Sequence, residues 1–105
     1  MEQRSSFRIP FEQSVHFGYL SRPYYNGILS NISEKGLAVK SDNPIPENTV
    51  VTIIIYYLNR PIELEGMVKR VSKNDFSNEY EIGISLTSNN VEYTSIYNSM
   101  LDRNS

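Results

Sequence analysis

The sequence predicts a small six-stranded antiparallel β-barrel with a C-terminal helix and a flexible N-terminal arm, an all-β domain plus one helix. Three observations predict it. Apolar and polar residues alternate in several short runs, the mark of half-buried strands. Gly, Pro, Asn and Ser clusters separate those runs, leaving room for turns but not for crossover helices. From Asn89 onward the apolar period lengthens to that of a helix.

Residues 1–13 read as the arm and residues 14–102 as the barrel with its helix. The arm begins polar and aperiodic, and Pro10 biases Ile9 toward extended backbone. Residues 14–20 alternate, with Val15, Phe17 and Tyr19 on one face. His16, the single histidine, falls on the other face and reads as an outward strand residue. Residues 24–32 form a second strand, with a bulge expected at Asn26-Gly27. Residues 37–41 make a short third strand, and two prolines fix the loop after it.

Residues 49–58 are the most β-prone stretch, with apolar side chains on both faces. One face should line the core, and the other requires a cover from the helix or a second subunit. Ile62, Leu64, Gly66 and Val68 alternate with acidic and basic residues in the next strand. Val71 is out of phase with Val68, which places a bulge near Lys69-Arg70. Tyr80, Ile82, Ile84 and Leu86 complete the last strand. Tyr93, Ile96, Tyr97, Met100 and Leu101 then share one helical face, behind an expected cap of Asn89 with Glu92.

The composition excludes several function classes. A chain of 105 residues with 39% hydrophobic and 21% charged residues suits one globular domain. Its net charge of −2 argues against a general nucleic-acid binder, so no DNA or RNA partner is expected. Cysteine is absent, which removes thiolate chemistry and disulfides. With one histidine, neither a catalytic triad nor a zinc site is expected. Glu63/Glu65 and Glu79/Glu81 each share a strand face and read as solvated surface rather than a catalytic pair. No Walker loop, G-x-S-x-G or dinucleotide fingerprint occurs. A binding protein rather than an enzyme is therefore expected, with no cofactor and no metal. No apolar run is long enough for a membrane span or resembles a leader. The expectation is a cytoplasmic protein, and the N-x-S sequon at Asn31 then carries no glycan.

Two short motifs carry the functional reading. Arg4 and Arg8 form R-x-x-x-R in the arm. An arginine fork can grip a phosphate or a guanine edge bidentately. Asn31-Ile32-Ser33-Glu34-Lys35-Gly36 forms N-x-S-x-x-G between two apolar runs. Asn and Ser suit a polar turn, and Gly36 allows either a positive φ or a close backbone approach. Taken in this order, and with the β-rich sequence after them, the motifs resemble those of the PilZ domain, a bacterial receptor for cyclic di-GMP. Many members have Asp at the position of Asn31, and Asn is a variant of that pattern.

The resemblance implies a β-barrel acting as a second-messenger receptor, here as a stand-alone domain. It implies cyclic di-GMP contacts from Arg4, Arg8, Asn31 and Ser33, with Gly36 keeping the loop shape. It also implies a downstream protein partner, in motility or exopolysaccharide control. A homodimer is compatible with the two-sided apolar strand. The runner-up reading is a protein-interaction adaptor with weak or no nucleotide binding. A third is a single-stranded nucleic-acid binder using stacked aromatics, which the acidic balance disfavours.

Overall fold

Alternating side chains pack a core only if the strands curl around it, and here they close completely. The computed structural model describes residues 8–19 and 22–103. Six strands appear: β1 (Ile9–Tyr19), β2 (Arg22–Ser33), β3 (Gly36–Ser41), β4 (Val50–Tyr57), β5 (Arg60–Lys73) and β6 (Tyr80–Leu86). One helix follows, α1 (Val91–Arg103). The strands form a closed barrel in the order β1-β2-β3-β6-β5-β4, each antiparallel to its neighbours.

The inward residues are those the alternation selects. Val15, Phe17, Leu29, Val39, Val51, Ile53, Ile55, Val68 and Ile82 are essentially inaccessible to solvent. Each contributes roughly 1.5–3 kcal/mol of transfer free energy. Gly27 pairs in register with Val15, so the bulge expected at Asn26-Gly27 does not form there. A Cβ on Gly27 would stand 2.7 Å from the Val39 side chain and 3.0 Å from Phe17. The glycine therefore admits neighbouring side chains instead of bending the strand. β2 is irregular three residues later, where Ser30 falls between the Leu29↔Val39 and Asn31↔Ala38 pairs. The bulge expected near Lys69-Arg70 is present, between the Val68↔Ile84 and Arg70↔Gly83 pairs.

β1 starts at Ile9, five residues before the alternation at Ser14 becomes legible. Ile9 pairs with Ile32 and is buried, and Pro10 pairs with Asn31. The register then shifts between Pro10 and Gln13. Gln13 occupies an apolar phase of β1, which hides the strand from a periodicity reading. Its side-chain amide donates to the Tyr56 carbonyl at 2.6 Å and accepts from the Tyr56 N–H at 2.7 Å. In this way it extends the β1–β4 seam past its last backbone pair, His16↔Ile54. His16 is exposed, as expected, and lies 2.9 Å from the Tyr56 hydroxyl.

Since all neighbours are antiparallel, β2, β4 and β6 finish at the same end of the barrel. α1 lies across that end. Tyr93, Ile96 and Tyr97 enter the core, and Met100 and Leu101 pack against it. The apolar stripe thus plugs the barrel rather than covering the outer face of β4. On that outer face Thr52 is buried, Val50 and Ile54 are half-buried and Tyr56 is exposed. The helix cap is Asn90, one residue later than expected, with its Oδ1 accepting from the Tyr93 N–H at 2.9 Å. No helix among the described residues is long and apolar enough to cross a membrane.

Candidate functional site

The β2–β3 hairpin turns through only Glu34 and Lys35, so Ser33 and Gly36 face each other as the closing pair. Gly36 does not use a positive φ. A Cβ there would come within 2.7 Å of the Ile84 carbonyl oxygen on β6. Of the two roles open to this glycine, close approach is the one the fold uses. Ser33 is buried, and its hydroxyl donates to the Gly36 carbonyl at 3.3 Å. The Lys35 carbonyl accepts from the Leu86 N–H at 2.8 Å, which fastens the turn to the end of β6.

Arg8 is brought to this corner by strand pairing. The Pro10↔Asn31 pair places it beside β2, and its Nη1 donates to Asn31 Oδ1 at 2.6 Å. The Asn31 amide nitrogen donates in turn to Ser30 Oγ at 3.3 Å. An aspartate at this position would neutralise the guanidinium. Asparagine holds it while leaving its positive charge available. Arg4, the other arm residue, lies outside the described residues.

A cleft of about 420 Å³ opens beside the hairpin. It is lined by Arg8, Ser33, Gly36, Lys35, Lys69 and Arg70, among others, with Glu34 as its one carboxylate among the described residues. The local balance is therefore positive on a chain of net charge −2. Sequence reasoning did not assign Lys35, Lys69 or Arg70 to the site. The signal was present in part, because the phase slip at Val71 marks the bulge that carries Lys69 and Arg70. Both are exposed in succession, which a regular strand would not permit on one face. Their convergence with the hairpin requires the β3–β6–β5 order, which no local pattern announces. Arg70 pairs with Gly83, where no side chain crowds it.

A tyrosine of α1 holds the backbone of this turn. The Tyr93 hydroxyl lies 2.7 Å from the Ser33 carbonyl oxygen and 2.6 Å from that of Gly36. Burial pushes its pKa above the ordinary tyrosine range, and the nearby Arg8 charge offsets this in part. Tyr97, one turn on, is also raised, by burial and by the charge of Glu34.

The PilZ domain family model matches residues 2–99. The chain belongs to the PilZ domain family. Solved structures agree on the fold of this PilZ domain. The Bacillus subtilis inhibitor of motility MotI/DgrA superposes with a TM-score of 0.79 at 18% identity, over 99% of this chain and 52% of that one. The PilZ domain of CeSA from a cellulose-synthesizing bacterium gives 0.65 at 21% identity, over 95% of this chain and 100% of that one. MrkH of K. pneumonia in its apo state gives 0.65 at 20% identity, over 97% of this chain and 52% of that one. The chain thus spans about half the length of two of these three proteins. No curated protein matches it.

Proposed function

We propose that this PilZ domain is a receptor for cyclic di-GMP, bound in the cleft beside the β2–β3 hairpin. The observation that carries the reading is the Arg8–Asn31 bond at the mouth of a cation-rich cleft. Two motifs that lie 23 residues apart in sequence meet there. The ligand offers two phosphate charges and two guanine edges. Arg8 and Arg4 supply forks for both kinds of group. Asn31 offers a donor and an acceptor, and Ser33 a hydroxyl at the turn. Gly36 keeps the turn close to β6, and Lys35, Lys69 and Arg70 add charge on the cleft's other walls. The cleft volume falls in the range of roughly 300–1,000 Å³ usual for small-ligand sites. Occupancy would then be relayed to a downstream protein.

A second reading, that of a protein-interaction adaptor, has one observation in its favour. A groove of about 440 Å³ between α1 and the β4–β5 hairpin exposes Leu58 and Val91. Calorimetric titration with cyclic di-GMP separates the two. The receptor reading expects saturable binding that weakens about 10-fold or more when Arg8 is replaced by Ala, and further when Arg4 is replaced as well. Absence of binding would remove the ligand and favour the adaptor. Undiminished binding by the double variant would remove the assigned arginine roles.

A further inference from the structure

The cyclic di-GMP reading makes no use of Tyr93, yet this residue joins two parts of the molecule that separate elements supply. It belongs to the first turn of α1, and its side chain is 1% exposed. Its hydroxyl reaches through the barrel end to the two carbonyls that flank the Glu34-Lys35 turn, at 2.7 and 2.6 Å. A single O–H proton is shared between two acceptors, so the contact is sensitive to their spacing. Those acceptors belong to Ser33 and Gly36, the closing pair of the hairpin at the cleft. Any change in how that pair is held is therefore felt at α1, and any shift of α1 is felt at the pair.

We infer that Tyr93 is a positioning residue for the cleft: its hydroxyl fixes the Ser33 and Gly36 backbones, so that filling the cleft and docking α1 are energetically coupled. The coupling is reciprocal by linkage. A ligand that steadies the hairpin steadies the helix, and a partner that draws the helix away weakens the ligand. The signal therefore leaves the site through α1. This inference rests on the receptor reading for the identity of the ligand, but the strut itself does not.

Amide hydrogen exchange and calorimetry on the full chain and on Tyr93→Phe test it. In the wild type, cyclic di-GMP is expected to slow exchange along α1 and at the Leu86 N–H, whose acceptor is the Lys35 carbonyl. Tyr93→Phe is expected to bind about 5-fold more weakly or worse and to lose the ligand's effect on α1. Ile53→Val, a core truncation away from the hairpin, is expected to lose stability while keeping both the affinity and the effect on α1. Equal affinity and an equal effect on α1 in Tyr93→Phe would overturn the inference, as would loss of both in Ile53→Val. If the wild type binds no cyclic di-GMP, the receptor reading fails and the ligand-free proteins decide the strut. Faster exchange at Gly36 and Leu86 in Tyr93→Phe then supports it, and unchanged exchange overturns it. If Tyr93→Phe does not fold, the wild type decides alone, by whether the ligand protects α1.

Discussion

Two hairpins flank α1 at the same barrel end, and they are built on opposite principles. Each turns through two residues, Glu34-Lys35 between β2 and β3 and Leu58-Asn59 between β4 and β5. The β4–β5 turn is shaped by its own backbone. Leu58 and Asn59 both adopt positive φ, 52° and 64°, as the twist of a two-residue hairpin favours. Leu58 is 78% exposed and pays a left-handed strain that asparagine would feel less. An exposed ion pair, Arg60 Nη2 to Glu92 Oε2 at 3.2 Å, ties the turn to the helix. The β2–β3 turn has no positive φ, and the rest of the fold holds it. Tyr93 sits beneath it, Leu86 beside it, and the Ile84 carbonyl fills the space that a Cβ on Gly36 would need. A turn shaped from within can drift with the solvent. A turn shaped by its neighbours transmits what happens to it.

The contrast can be broken most strongly at Gly36. Gly36→Val is expected to cost about 1–3 kcal/mol, because its Cβ meets backbone at Ile84 rather than a yielding side chain. It should also abolish ligand binding. Thermal unfolding and titration check both. The same residue placed beside the other turn, Arg60→Val, should shift stability by no more than about 0.5 kcal/mol, since the ion pair it removes is exposed.

Alkaline unfolding sharpens the contrast next. An unfolded tyrosine begins to lose its proton near pH 10, whereas Tyr93 in the fold retains it. The stabilisation is complete below that pH and drains away as pH rises past it. The expected slope is up to about 1.4 kcal/mol per pH unit, and Tyr93→Phe should remove that share. Denaturant unfolding between neutral pH and pH 11 measures it. An unchanged slope in the variant would mean that Tyr93 ionises as freely in the fold as out of it.

A modest gain is expected at the other hairpin. Leu58→Asn should raise stability by about 0.5–1 kcal/mol by relieving a left-handed leucine that contributes little burial. Ligand affinity should not move, and a change in it would show that the second hairpin is coupled to the site after all.

Much of the fold was legible because alternation reports burial directly. Val15, Phe17, Ile82 and Ile84 fell in phase and are core residues. The first strand is legible only from Ser14, because Gln13 occupies an apolar phase for a reason internal to the barrel seam. The glycine at position 27 suggested a bulge because a sequence does not distinguish a residue small for bending from one small for packing. At the site, Arg8 and Asn31 were paired by motif order, and the structure brings them within a hydrogen bond. Lys35, Lys69 and Arg70 join them only through strands distant in sequence. The helix stripe was legible as apolar cover, but nothing local reveals that one of its tyrosines spends its hydroxyl on the hairpin.

The Gln13 amide has a consequence for association between copies. Backbone pairing between β1 and β4 covers His16–Tyr19 against Val51–Ile54, a departure from pairing along the whole of β4, which runs on to Tyr57. That departure leaves part of β4 without a backbone neighbour from β1, and an open strand edge invites another chain to add itself. By offering Tyr56 a donor and an acceptor, one glutamine stands in for the absent peptide group. The β1–β4 seam is thereby closed to an added strand beyond its last backbone pair, which protects the barrel against edge-to-edge polymerisation.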